Sequence, residues 1–131
     1  MIDNRCAQSV LTEKLIRYAM QVHGALSNRF PELIHQRSLE AMKYAGLVFQ
    51  REVDRTVFYR DEIVGVRRVD ILVDNAVLVE LKATHEPTTL HHAQTINYLK
   101  AFRLEVGLLF NFGEKSLQFK RFIKSQRQLI S

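Results

Sequence analysis

The chain has 131 residues, 47% hydrophobic and 25% charged, with a net charge of +5 from 19 Lys and Arg against 14 Asp and Glu. That composition suits one soluble domain with its own core, and the positive excess favours a polyanionic partner. Cys6 is the lone cysteine, which excludes a disulfide framework and a cysteine zinc site, and no apolar run approaches membrane-spanning length.

The segment from Met1 to Arg5 is too polar for a signal peptide, so a cytoplasmic location is expected. Residues 7–25 read as a helix, with Val10, Leu11, Leu15, Tyr18, Ala19 and Val22 near one stripe, ending around Gly24 and Ser27-Asn28. A second helix is expected from Pro31, suited to a first turn, to Ala45, with Gly46 as C-cap. Extended segments follow at 47–53 and 56–59, then a turn at Asp61-Glu62. Residues 63–73 and 76–83 form two strands joined at Asp74-Asn75 as a hairpin. A third helix spans 88–102, capped by Thr88 or Thr89. The nearly all-apolar run 106–112 predicts a buried central strand, and 117–123 a last strand. Residues 124–131 are expected to fray. The order predicts a single α/β domain over 1–131, with a mixed sheet and the third helix as the crossover between hairpin and central strand.

Chemistry concentrates in the hairpin. Asp70 interrupts Arg67-Arg68-Val69-Asp70-Ile71-Leu72-Val73, and Glu80 interrupts Val77-Leu78-Val79-Glu80-Leu81-Lys82. A carboxylate within an apolar strand is costly unless it is paired or metal-bound. Two such groups about 4 Å apart repel by about 4 kcal/mol at an effective dielectric of 20, and a dication reverses that penalty. Asp70 and Glu80 on neighbouring strands, with the Leu81 backbone carbonyl, would share one magnesium ion, manganese being a substitute. Lys82 lies two residues beyond Glu80 and so on the same face. There it would orient an attacking water or neutralise charge developing on phosphate. The bland alternatives are an Asp70 salt bridge to Arg67 or Arg68 and protective edge-strand charges at Glu80 and Lys82.

Gln94 and Tyr98 are four apart on the third helix and share a face, where they would contact a metal water or phosphate. Glu32 begins the second helix, either as a charge favoured by the helix dipole or as a further ligand, with His35 one turn on. His85, His91 and His92, with Glu86 or Glu80, match no dedicated zinc spacing; a substrate-binding role for one of these histidines fits better. Arg51, Arg55, Arg60, Arg67 and Arg68 would guide a phosphate backbone or form a solvated face.

Asp70, Glu80-Leu81-Lys82 and Gln94-x-x-x-Tyr98 together resemble the PD-(D/E)xK nuclease superfamily, especially its RecB-like branch. The whole chain is similar to the small GxxExxY proteins of bacteria over residues 4–123, including Phe49-Gln50-Arg51-Glu52, Val79-Glu80-Leu81-Lys82-Ala83 and Val106 to Gly113. The resemblance implies a restriction-endonuclease-like mixed sheet flanked by helices, and magnesium-dependent nuclease chemistry. Asp70 and Glu80 would be metal ligands, Lys82 the catalytic lysine, Gln94 and Tyr98 the added helix motif, and Glu32 the family glutamate. Two positions depart from the pattern. Arg29 stands at the glycine position, within Ser27-Asn28-Arg29 where Gly-Pro-Gly is usual, and His35 stands at the tyrosine position.

The leading expectation is therefore a nuclease acting on DNA or RNA. The alternatives are a catalytically silent nucleic-acid-binding or regulatory module and a protein-interaction or assembly component, since a fold alone does not fix chemistry. One small domain offers limited surface for clamping a duplex, and a homodimer would supply more.

Overall fold

Eight elements follow the expected order: α1 (Asn4–Leu26), α2 (Glu32–Glu40), β1 (Phe49–Tyr59), β2 (Glu62–Val73), β3 (Val77–Lys82), α3 (Thr89–Phe102), β4 (Val106–Asn111) and β5 (Gln118–Ile123). The computed structural model describes residues 4–41, 46–85 and 89–123, without the side chains of 4–8, 40, 70, 89 and 90. The expected last turn of the second helix at 42–45, Glu86, the Thr88 cap and the tail at 124–131 lie outside the described residues.

The five strands form one sheet in chain order. Every neighbouring pair is antiparallel except β3 and β4, which run parallel from Val77↔Val106 to Lys82↔Asn111. A parallel pair needs a crossover connection, and α3 supplies it. All six residues of β4 are buried, as their apolar run predicts for a central strand covered on both faces.

Alternation along the strands sorts the core into two layers. Val77, Val79 and Leu81 of β3 and Val106, Leu108 and Phe110 of β4 pack with Leu15, Ala19 and Val22 of α1 and Leu39 of α2. Leu78 and Leu109 point the other way and pack with Leu99 and Phe102 of α3. The helix approaches β4 closely because position 107 is glycine: a Cβ there would stand 3.2 Å from both Leu99 Cδ2 and Thr95 Cγ2. The result is a mixed sheet between helical layers, the restriction-endonuclease-like arrangement expected.

The sequence splits the first extended region into two short pieces, whereas the structure has one strand of 11 residues, β1. It pairs with β2 from Phe49↔Val73 to Tyr59↔Glu62. Its irregularities explain the broken pattern: Glu52 has φ 53°, and the register shifts between Val57 and Phe58. The β1–β2 turn is centred on Arg60-Asp61, one residue earlier than expected, with φ 49° and 65°. Asp74 and Asn75, at φ 52° and 55°, make the predicted β2–β3 hairpin turn. Positive φ at both central residues matches the right-handed strand twist, and Asp and Asn tolerate it best after glycine. Asp74 also closes the start of β1, its Oδ1 accepting from the Val48 N–H at 2.8 Å.

α1 starts three residues earlier than expected, and Ser27 ends it at φ 64°, its N–H donating to the His23 carbonyl at 2.7 Å. Pro31 stands just outside α2 as its N-cap, not in its first turn, which begins at Glu32.

Candidate active site

Glu80 continues the row begun by Leu78 on the α3 side of β3, and Lys82 follows it two residues later. Their β4 partners are Leu109 and Asn111. Glu80 is only 6% exposed, and Lys82 is half-buried. The structure thus brings the acid and the ammonium to one face of one strand, at its C-terminal end.

β2 reaches this point from the other side. Its pairing with β3 runs from Val73↔Val77 to Ile71↔Val79. Asp70 is the next residue of β2, so its backbone lies beside the Glu80 end of β3; its side chain lies outside the described residues. β2 stays paired with β1 through Val53↔Val69 to the hairpin tip. Along β2 the faces change here: Val69 joins the α3-side cluster and Ile71 the opposite one, although they are two residues apart.

The Leu81 carbonyl can be placed from the same register. The Lys82 carbonyl accepts from the Phe112 N–H at 2.8 Å, on the β4 side. Carbonyls alternate along a strand, so that of Leu81 turns towards β2 and the Asp70 backbone. Glu80, Leu81 and Asp70 offer only oxygen donors, the set preferred by a hard dication. Among the described residues, no group of three or more His, Cys, Asp or Glu is clustered to hold a metal ion, and the expected set includes Asp70.

The remaining expected residues divide between the layers. Thr95 and Leu99 of α3 face the sheet and are 1% and 2% exposed. At 100° per residue, Gln94 and Tyr98 fall on the flank towards β1 and β2, and His92 on the flank towards β5. Gln94 is exposed and its Nε2 donates to the Tyr98 hydroxyl at 2.7 Å. Tyr98 packs on Phe102 at 5.4 Å, so a half-buried ring anchors an exposed amide. Glu32 sits in the other layer, at the first turn of α2, half-buried.

His35, on α2 beyond Glu32, is fully buried and stacks on Phe112 with centroids 4.4 Å apart and planes 16° apart. His23 of α1 lies 6.5 Å from His35, and its Nε2 donates to the Glu114 carbonyl at 2.8 Å. Burial, and then the charge of His23, push the His35 imidazole below its ordinary pKa; the Phe30 backbone opposes this in part. By hydrogen-bond geometry neither ring nitrogen of His35 has a partner among the described residues. His35 therefore serves as a neutral flat ring in this packing, which is how a histidine occupies a position expected to be tyrosine.

The other histidines are dispersed among different contacts: His85 stands 4.0 Å from the Glu114 carboxylate, and His92 rests edge-on against Phe122 at 5.6 Å. The arginines line the β1–β2 arm, and several have local partners. Arg68 faces Asp54 at 3.6 Å, Arg55 donates to Asn75 and Arg60 lies over the Tyr59 ring. Arg103 ties the arm to α3 by pairing with Asp61 and covering Phe58 at 4.1 Å.

Asn111 is a residue that sequence reasoning missed. It is 4% exposed and opposite Lys82. Its Oδ1 accepts from the N–H groups of Thr84 and Gly113 at 3.0 Å each, and its Nδ2 donates to the Thr84 carbonyl at 2.9 Å. The segment leaving Lys82 is thereby sewn to the end of β4. The one available signal was an amide ending an otherwise apolar strand just before Phe-Gly.

Comparison with known proteins agrees with this architecture. A solved structure described as the crystal structure of SSO0001 superposes with a TM-score of 0.52 at 17% identity, covering 89% of this chain and 66% of that one. The similarity is one of fold, and the present chain spans just under two thirds of that protein. No curated protein matches. The family model described as PD-(D/E)XK nuclease superfamily matches residues 9–122, from α1 to the penultimate residue of β5. The chain, with its β2–β3 hairpin and crossover helix, belongs to the PD-(D/E)XK nuclease superfamily.

Proposed function

We propose that the protein is a magnesium-dependent nuclease that hydrolyses phosphodiester bonds in DNA or RNA. One observation carries the reading: a nearly buried Glu80 shares a strand face with Lys82, at the end of β3 that lies beside the Asp70 backbone. Carboxylate oxygens are the ligands that a hard dication prefers. Asp70, Glu80 and the Leu81 carbonyl are the residues to hold the ion, with Glu32 a further acid from the opposite layer. When bound, magnesium would stabilise negative charge on the phosphoryl oxygens and make a water more acidic.

The chain's own groups have separate tasks. Lys82, pre-positioned at the end of β3, neutralises charge building on the phosphoryl group and orients the attacking water. Tyr98 holds the Gln94 amide at a fixed orientation to contact substrate or water. The arginines of the β1–β2 arm add a diffuse attraction for the phosphate backbone. Within the superfamily, Phe49-Gln50-Arg51-Glu52, Val79 to Ala83 and Val106 to Gly113 favour the GxxExxY proteins, from whose pattern Arg29 and His35 depart, and the Gln94-x-x-x-Tyr98 pair favours the RecB-like branch.

The test is cleavage of labelled single- and double-stranded DNA and RNA across magnesium, manganese and calcium. Turnover is expected with magnesium or manganese, reduced at least about 100-fold in Lys82→Ala, the scale for losing one charge-stabilising donor, and abolished in Asp70→Ala. Intact substrates under every metal, with pure folded protein, overturn the proposal.

A further inference from the structure

Beside the Glu80–Lys82 face lies a cleft of about 150 Å³ lined by His92, Leu109, Asn111, Gln118, Phe119 and Lys120. Strand register identifies which side chains face it. Leu109 pairs with Lys120, and Asn111 with Gln118, so these four share the α3 face with Glu80 and Lys82. Phe119 pairs with Phe110 of the opposite layer and contributes its backbone. Two rows cross the sheet: Glu80, Leu109, Lys120 and Lys82, Asn111, Gln118.

The cleft thus extends the Glu80–Lys82 site towards β5. His92 overhangs it from α3, its ring set edge-on against Phe122. Its polar lining is an ammonium, an imidazole and carboxamides, and none of the six lining residues carries a carboxylate. Such a lining suits an anion. Two strand spacings of about 4.8 Å place Lys120 roughly 10 Å from Glu80, backbone to backbone. A nucleic-acid strand rising about 3.4 Å per nucleotide covers that distance in about three nucleotides.

The geometry points to a second phosphate subsite, in which Lys120 and His92 hold a phosphate about three nucleotides from the scissile one on the same strand. The subsite rests on the reading of Glu80 and Lys82 as the reacting centre. Its size admits one strand's phosphate and sugar, not a base pair. The strand then runs past the C-terminal ends of β3 and β4 to the start of β5, and the Lys120 contact fixes which linkage stands at Lys82.

Fluorescence anisotropy with a labelled single-stranded oligonucleotide, without divalent metal and across a salt series, tests the assignment. Each lost phosphate contact should lower the slope of log affinity against log salt by about 0.7 for a single strand. Lys120→Ala is expected to weaken binding about 3- to 10-fold at low salt and to reduce the slope by that amount, and Lys120→Arg to restore both. Lys120 is exposed, so the fold should persist, which circular dichroism checks. In parallel, addition of inorganic phosphate should shift the His92 ring resonances, and Lys120→Ala should abolish the shift. Unchanged affinity and slope in Lys120→Ala, while the parent chain binds and cleaves, overturn the subsite and leave the nuclease reading intact. Salt-dependent binding that needs Lys120, without cleavage under any metal, supports the subsite and overturns the nuclease reading. No binding by the parent chain overturns both.

Discussion

Replacing Asn111 with alanine removes a side chain that ties the segment after Lys82 to the end of β4. Three hydrogen bonds disappear: two accepted from Thr84 N and Gly113 N, and one donated to Thr84 O. Thr84 is half-exposed, so water replaces much of what its N–H and carbonyl lose, and these bonds count at about 0.5 kcal/mol each. Gly113 is buried, and stranding its N–H costs about 1–3 kcal/mol. The sum is about 2–4 kcal/mol, a large share of the roughly 5–15 kcal/mol that stabilises a domain. Urea unfolding measures it as a lower midpoint at unchanged slope. Hydrogen exchange supplies a local readout, because the Gly113 amide should exchange faster in the variant than in the parent. A loss below about 0.5 kcal/mol, the level of an ordinary surface substitution, with Gly113 exchange unaltered, refutes the reasoning.

The two glycines facing this region should respond unequally to alanine. A Cβ at Gly113 would lie 2.3 Å from Thr84 N and 2.7 Å from Ala83 C, all backbone, so Gly113→Ala is expected to cost about 3 kcal/mol or more in thermal or urea unfolding. At Gly107 the obstacles are side-chain ends at 3.2 Å, which yield, so Gly107→Ala should cost less than Gly113→Ala; the reverse order contradicts the packing described. His35 is held below its ordinary pKa in the folded chain, so the unfolded chain binds the extra proton first as pH falls. Stability should decline from about pH 6.5, the unfolded imidazole value, down to the lowered native one, and be flat in this respect above it. His35→Phe keeps the stacked ring and should remove that part of the pH dependence, measured by urea midpoints between neutral and acidic pH. Glu80→Gln should weaken manganese binding in calorimetry, because it removes an anionic oxygen ligand; unaltered manganese affinity contradicts the assigned role.

Elements whose signal is local were legible in the sequence. The nearly all-apolar run 106–112 carried the mark of a doubly covered strand, and Asp74-Asn75 could carry the left-handed turn that the hairpin needs. Period-two spacing put Glu80 and Lys82 on one face, which the β3–β4 register bears out. What stayed hidden depends on contacts between distant segments. β1 reads as two pieces because Glu52 and the shift at Val57/Phe58 interrupt its alternation, and only pairing with β2 makes it continuous. Asn111 became visible once Thr84 was brought against it, and Lys120 joined Glu80's row only through two successive strand pairings. His35 carries no local mark of its stack, because Phe112 reaches it from the far end of β4.

The central claim is that Asp70, Glu80 and the Leu81 carbonyl hold one divalent ion beside Lys82. A crystal structure of the protein soaked with manganese, read by its anomalous signal, tests this most directly. The account predicts one strong peak beside the Glu80 end of β3, within about 2.0–2.6 Å of oxygens from all three residues, the range for hard cations on oxygen. A Glu80 carboxylate locked into an ion pair with a protein cation, with manganese bound elsewhere or not at all at saturating concentration, contradicts it.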